Sequence, residues 1–412
     1  MKLLSEKPLS DSLFAFYLLF IFSSTFSIAL AQISLGISLF LFIILLIKKP
    51  FNPFNSILKR FYLLIAAFIL WQIISALGNS TPLTSLEAMK KSWLFLAVTI
   101  GIYLGKDKQY RQLLVTGFAL GVLMIGIYGI FQYIFGIDLF RTKPLLPAPD
   151  FGYLVRGNFP HTLTFGNYFA TASIFLITLL IAGKKNIKNS SIIIFISAAL
   201  LGGVATLFSF SRGSIFAMIA GLLILILVKS KRPLIYAACF VLLIGAITIF
   251  TPGLLDRIEK RLEREYNLDD EMGRLYIWNS SFKLIKENPI LGVGNGNFAV
   301  EYAKNLPPNV EARKKHVHAH NDLLNFAAIF GLPGMILYLL IWLELFHILW
   351  KTWKKSSVED LNKSFILASF VGSFVFFVTS FTEATFIDEE VRQMLMFIWA
   401  IGLGSVYNDY EK

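Results

Sequence analysis

The chain has 412 residues, of which 56% are hydrophobic and only 16% charged, against roughly a quarter charged in an average soluble protein. With apolar runs of about 20 residues recurring from end to end, this composition excludes a soluble globular enzyme and indicates an all-α polytopic membrane protein. The net charge of +12 reads as Lys and Arg gathered in cytoplasmic loops, so no nucleic-acid partner is expected, and the lone Cys239 excludes an intrachain disulfide.

Twelve spans are expected in chain order, near 13–31, 33–47, 61–77, 93–105, 112–136, 163–182, 191–209, 214–229, 233–251, 322–350, 364–382 and 393–408. With both termini placed inside, the inner segments hold 20 Lys and Arg and the four short outer loops hold 7. That bias puts both termini in the cytoplasm. "ALAQ" at Ala29–Gln32 has the small residues of a signal cleavage site, but the apolar stretch before it is long, and an uncleaved first helix is expected. The whole chain, 1–412, reads as one membrane domain carrying a single outer insertion at 252–321.

Within the insertion, "GLLDRIEKRLEREYNL" has Leu255, Ile258, Leu262 and Tyr266 at helical spacing and charge elsewhere, the pattern of a surface amphipathic helix. "GRLYIWNSSFKLIKENP" predicts a second helix with Leu275, Trp278, Phe282 and Ile285 on its buried stripe and Pro289 beyond its end. Arg274 begins that helix, where a cation opposes the helix dipole, so it is expected to serve something else. Gly292, Gly294 and Gly296 follow without the spacing of a dinucleotide fingerprint, and a tight turn docking the insertion onto the bundle is expected.

The unusual polar residues gather on the outer face: Arg141, Arg156, His161, Arg212, Arg274, His316, His318, His320, Glu383 and Asp388. Arg212 lies in the very short turn "SFSRGS", at membrane level, where ionisable groups are costly and usually functional. "HVHAHND" admits three readings: a metal site, polar capping of the following helix, or a general base. Arginines on the same face imply an anionic, phosphorylated substrate. Outside the inner membrane there is no ATP, so the leaving group must arrive activated, as a lipid pyrophosphate does. Arg392, in the last outer loop, is expected to tolerate lysine.

"HNDLLNFAAIFGLPG" from His320 to Gly334 has the H-N-x9-G-x-x-G pattern and resembles the O-antigen ligases, a signature that recurs in the related O-antigen polymerases and protein O-oligosaccharyltransferases. "FSRGS" at Phe210–Ser214 resembles their arginine turn, and the segment from Gly273 to Phe298 resembles the part of their periplasmic loop that carries a second arginine. The resemblance implies a C-type membrane glycosyltransferase fold of about twelve helices with one large periplasmic helical loop, in the bacterial inner membrane. It implies glycan transfer from undecaprenyl pyrophosphate to a lipid A–core sugar hydroxyl on the periplasmic face, inverting and without metal or other cofactor. His320 would match the catalytic base, and Arg212 and Arg274 the residues that bind the donor pyrophosphate. Arg156, His161, His318, Asn321 and Glu383 are further candidates for substrate binding, while His316 and His318 match no residue of known role. Membrane lipids and a monomeric state are expected. Polymerase and protein-glycosylating activities are the alternatives within the superfamily, and a lipid-linked glycan flippase is the alternative of another class.

Overall fold

Apolar runs become helices because a helix satisfies its own backbone hydrogen bonds where no water can. The computed structural model describes the chain outside residues 1–5, 55–56, 142–143, 149–150, 184–186, 188, 231, 233, 236–273, 305–316, 357–360 and 412. Its helices are α1 (Glu6–Ser23), α2 (Ile28–Lys48), α3 (Lys59–Gly78), α4 (Pro82–Ala88), α5 (Phe95–Gly105), α6 (Lys108–Phe135), α7 (Thr162–Gly183), α8 (Asn189–Phe208) and α9 (Arg212–Lys229). They continue as α10 (Arg274–Glu287), α11 (Phe298–Lys304), α12 (Asp322–Lys355), α13 (Leu361–Thr379) and α14 (Glu389–Glu411). Two short 3₁₀ turns, Met89–Leu94 and Thr385–Ile387, complete the regular structure, and no strand occurs among the described residues.

The protein is an all-helical, multi-pass membrane protein. Among the described residues, eight helices are long and apolar enough to cross a membrane: α2, α3, α6, α7, α8, α9, α12 and α13. Helices α1, α5 and α14 coincide with three further expected spans, although α5 has only 11 residues. The ninth expected span and the amphipathic helix near 254–269 lie outside the described residues.

The first two spans divide earlier than expected. The break falls at Ser24–Ser27, because the hydroxyls of Ser23, Ser24 and Thr25 bond back to the carbonyls of Leu19, Ile21 and Phe22. Ser27 then caps α2 by accepting from the Leu30 amide at 3.3 Å. "ALAQ" is therefore inside α2.

Helices α7, α13 and α14 form the centre of the bundle. α13 packs on α7 and α14, α14 packs on α5, α12 on α3, and α9 on both α7 and α13. Aromatic rings fill the middle, with the Trp342 ring in contact with both Trp399 and Phe376. The buried face of α10 is not the expected stripe. Ile277, Ser280, Ser281, Leu284 and Ile285 face the bundle, while Phe282 is 57% exposed. The two stripes differ by a part-turn, and the docking partner α12 selects between them.

That docking depends on a break in α12. Gly331 has φ 71° and ψ 176°, a conformation open essentially only to glycine, and Pro333 follows two residues later. Pro333 has no N–H for the Ile329 carbonyl, and the Leu332 N–H turns away to the Pro289 carbonyl at 2.8 Å. The released carbonyls are taken by the insertion: Val293 N–H donates to Ala328 at 2.8 Å and Gly294 N–H to Ile329 at 3.0 Å. Trp71 of α3 donates its indole N–H to the Phe330 carbonyl at 2.8 Å, and the Ser75 hydroxyl donates to the Leu291 carbonyl at 2.6 Å. Gly292 and Gly331 let the two backbones meet, since a Cβ on Gly331 would overlap the Ile290 carbonyl and one on Gly292 would press on the backbone at Ile329 and Phe330. The glycine-rich turn thus docks the insertion onto the bundle.

Gly331→Ala should therefore lower the melting temperature in detergent sharply, or prevent recovery of folded protein. Trp71→Phe, which only orphans the Phe330 carbonyl, should cost about 1–3 kcal/mol of stability. A wild-type melting curve for both variants would show that the break does not depend on these contacts.

Candidate functional site

The broken helix α12 begins at the opening of the site. Asn321 caps it in an extended conformation, accepting from the Leu324 N–H at 3.0 Å. Its Nδ2 donates to the Phe381 carbonyl at 3.1 Å, and the Asp322 N–H donates to the Ser380 carbonyl at 2.8 Å. The start of α12 is thereby fastened to the loop after α13. Asn321 is expected from sequence as a substrate contact; in the structure it caps a helix and bridges two elements.

His320 precedes the cap with φ 48°. The other non-glycine residue with positive φ among those described is Phe210, with φ 53°, two residues before Arg212. Such conformations cost of order 1–3 kcal/mol and persist where surrounding contacts enforce them. Both fall beside residues that the sequence marks as functional.

The turn of His320 aims its Nδ1 at Glu383, 2.8 Å from Oε1 and 2.9 Å from Oε2. Glu383 is 7% exposed. Burial by itself would raise its pKa, but the hydrogen bond from His320 and the electrostatic influence of His320, His318 and Arg274 outweigh that and hold the carboxyl below its ordinary value. An ionised carboxylate only accepts hydrogen bonds, so the neutral imidazole carries its proton on Nδ1 and its lone pair on Nε2. His318 lies alongside, its ring centroid 4.4 Å from that of His320 and its Nδ1 3.5 Å from Glu383 Oε1. The His318 Nδ1 also accepts from the His320 backbone N–H at 3.3 Å.

The arginine turn reaches the same place. Gly213 packs so closely on Thr382 that a Cβ would overlap the threonine hydroxyl. Arg212 therefore starts α9 one residue from a contact with the neighbour of Glu383. In this turn the Ser214 hydroxyl donates to Asn167 Oδ1 of α7 at 2.6 Å. Arg274, at the start of α10, is near enough to Glu383 to act on its charge. His320, His318 and Glu383 are in contact; Arg274 acts on the charge of Glu383, and the start of α9, where Arg212 stands, packs on Thr382 beside it.

Other candidates are placed elsewhere. Arg156 is engaged by Asp138, through Nε at 2.9 Å and a guanidinium ion pair at 2.8 Å. Arg141 donates to the Asn158 carbonyl at 3.1 Å. The loop around them is tied toward the last loop by Thr164, which donates to Asp388 at 2.9 Å. His161 is exposed at the start of α7, and no contact brings its side chain to Glu383 among those described. His316 lies outside the described residues.

Arg392 corrects an expectation. It is 7% exposed, within α14, with Nε donating to the Phe386 carbonyl at 2.6 Å and its guanidinium 4.8 Å over the Phe386 ring. The Phe386 N–H lies 3.3 Å from the carboxyl group of Asp322, fully buried, which also accepts from the Tyr338 hydroxyl at 3.2 Å. Asp322 and Arg392 together hold both backbone groups of Phe386, and so fix the loop that carries Glu383. A lysine at 392 cannot reproduce the planar guanidinium over the ring. Sequence reading missed Asp322 because only the fold buries it. Glu383 was a candidate, but nothing in sequence links it to His320, 63 residues away.

Residues 197–339, which include Arg212, Arg274, His320, Gly331 and Gly334, match the family described as O-antigen ligase. A Rickettsia felis protein named for polysaccharide ligation is 24% identical over 284 residues, 66% of this chain and 64% of that protein. Over that segment the chain is similar to the O-antigen ligases. Glu383 lies beyond the matched segment, so its place beside His320 comes from the structure alone. The chain aligns with just under two thirds of that relative's length.

Asp388 rims the site, and burial, followed by the neighbouring charges of Glu390 and Glu383, pushes its pKa from 3.8 up to about 7 despite the hydrogen bond from Thr164. A raised carboxyl favours the folded state fully below pH 3.8 and loses that contribution as pH rises through about 7. Asp388→Asn keeps an acceptor for Thr164 without the charge. It should raise the melting temperature relative to wild type at pH 8 and leave it unchanged near pH 4. An equal effect at both pH values would show that Asp388 titrates normally.

Proposed function

We propose that this protein is a glycosyltransferase that moves an O-antigen-type glycan from undecaprenyl pyrophosphate to a sugar hydroxyl of a lipid A–core acceptor. The observation that carries the reading is the His320–Glu383 pair at the mouth of a membrane helix, with two arginine-bearing helix ends converging on it. The attacking hydroxyl gives its proton to His320 Nε2, and the imidazolium so formed is held by Glu383 through Nδ1–H. The acceptor oxygen bonds to the anomeric carbon from the face opposite the leaving group, inverting it. The anomeric C–O bond breaks with its electrons passing to the lipid pyrophosphate, whose growing charge Arg212 and Arg274 meet. Fixed guanidinium groups supply the charge that a divalent ion would offer, so no metal enters the step.

The site faces the periplasm in this reading, with twelve spans, both termini in the cytoplasm and the insertion at 252–321 outside. The excess of Lys and Arg on the opposite loops supports it. Partner substrates arrive along the membrane, and the enzyme acts as a monomer. Lipid A–core is favoured as acceptor because its phosphate groups suit the Arg and Lys residues of the outer loops. The gathering of charge at one end of the bundle supports surface chemistry over a flippase path through the spans.

Purified protein given lipid-linked glycan and rough lipopolysaccharide should form glycan on the lipid core. Longer lipid-linked glycan without acceptor would mean a polymerase, and product on protein an oligosaccharyltransferase. His320→Ala should lower the initial transfer rate by about 10²–10⁴ while folding normally. Glu383→Gln should fall by a similar order, because the neutral amide no longer stabilises imidazolium. Near-wild-type turnover in either variant would sink the base assignment, as would strong loss of activity in chelator restored by one specific ion.

Arg212→Lys and Arg274→Lys should each be strongly impaired, since lysine keeps charge but loses the fork that holds two phosphate oxygens. The alanine variants should be worse, and the double alanine variant should lose less than the product of the single losses. Lysine variants at wild-type rates would assign these arginines to folding instead.

A further inference from the structure

We propose that His318, His320 and Glu383 form a site for a transition-metal dication of the zinc class, and that occupying it switches the enzyme off. The binding half of the proposal stands on geometry alone; the inhibition half rests on the reading of His320 as the base. One ligand atom from each side chain, a histidine ring nitrogen or a carboxylate oxygen, lies within 4.8 Å of the other two. The Nδ1 atoms of His320 and His318 stand 2.8 and 3.5 Å from Glu383 Oε1. Neighbouring ligands on a tetrahedral zinc are about 3.3 Å apart, given metal–ligand bonds near 2.0–2.1 Å, so the two edges to Glu383 lie near that spacing, and the edge between the histidines is no longer than 4.8 Å. In the metal-free protein His318 Nδ1 accepts from the His320 backbone N–H in a long, 3.3 Å hydrogen bond, which an ion on that nitrogen would displace. The side chains of His318 and His320 are 16% and 21% exposed, so an ion reaches them from solvent and keeps coordination positions for water. Two imidazoles and one carboxylate suit zinc, copper or nickel, and suit the oxygen-seeking magnesium and calcium poorly.

The consequence for His320 follows from proton accounting. Without metal, Nδ1 holds the proton and Nε2 the lone pair. A metal needs the Nδ1 lone pair, so a neutral imidazole must move its proton through water to Nε2. No proton is lost from the ring, but Nε2 can no longer accept one from an acceptor hydroxyl. The ion also takes Glu383 from its role as hydrogen-bond acceptor. Arg274 acts on Glu383 as a positive charge and so opposes the ion. Its removal should tighten binding, an effect that a role in folding alone would not produce.

The test uses full-length protein in detergent, stripped with chelator and titrated with zinc chloride by calorimetry. One His318-dependent equivalent should bind. His318→Ala and Glu383→Gln should each weaken that binding by more than about tenfold. Arg274→Gln should strengthen it, His347→Ala, toward the opposite end of α12, should leave it unchanged, and magnesium should show none. The transfer rate with saturating zinc, divided by the metal-free rate of the same variant, should fall by at least about tenfold in wild type and stay near one in His318→Ala. Absence of binding that depends on His318 and Glu383 overturns the site. Such binding without inhibition overturns the switch and points the failure at the His320 assignment. Activity that requires zinc overturns the switch and the metal-free mechanism together.

Discussion

Inside a membrane every released backbone carbonyl must find a donor, and the break in α12 releases several at once. Gly331 and Pro333 open the helix, and the glycine turn of the insertion supplies amides to the carbonyls of Ala328 and Ile329. Trp71 takes the next carbonyl from α3. This exchange is what attaches the insertion to the bundle. Helix α10 runs directly into that turn, so its first residue, Arg274, is delivered to the same end as His320. The spacing between the H-N pair and the two glycines acquires a physical meaning. Roughly three turns of helix separate the His320–Glu383 pair from the joint that docks α10.

At the mouth, charge is kept in a place where charge is expensive. Glu383 is nearly buried, yet the groups around it favour its ionised form over the neutral form that burial alone would select. Its dependence on His320 is mutual: the carboxylate fixes the tautomer of the ring, and the ring offsets the burial of the carboxylate. Asp322 and Arg392 act one layer further in, clamping Phe386 and with it the loop from Ser380 to Asp388. The site is assembled from helix ends because membrane helices have apolar middles. Their ends are where polar side chains, caps and unsatisfied amides can meet without lipid between them.

Much of the fold was legible in the sequence, because the rule behind it is local. An apolar stretch of the right length forms a helix in a membrane whatever surrounds it, and eleven of the twelve expected spans coincide with described helices. The errors arose where side chains compete with that rule. Ser23, Ser24, Thr25 and Ser27 end one helix and cap the next within an apolar run that hydropathy reads as continuous. The stripe of α10 was misplaced because two apolar faces were available and only contact with α12 decided between them. Sequence places Arg392 in the last loop, because a short polar stretch beside a span looks like a loop until the helix start at Glu389 is known.

The sequence by itself determined the membrane class, the excess of Lys and Arg on one set of alternate loops, and the chemical character of the segments that carry His320 and Arg212. It also marked His320, Arg212 and Arg274, because histidine and arginine are conspicuous in an apolar chain. Tertiary structure alone decided that His320 pairs with Glu383 across 63 residues, that Asn321 caps a helix, that Arg156 belongs to Asp138, and that Asp322 with Arg392 holds the loop in place. The reason is one of range. Hydropathy and capping act over a few residues along the chain, whereas a hydrogen bond between two helix ends depends on how the bundle packs, which no short stretch of sequence encodes.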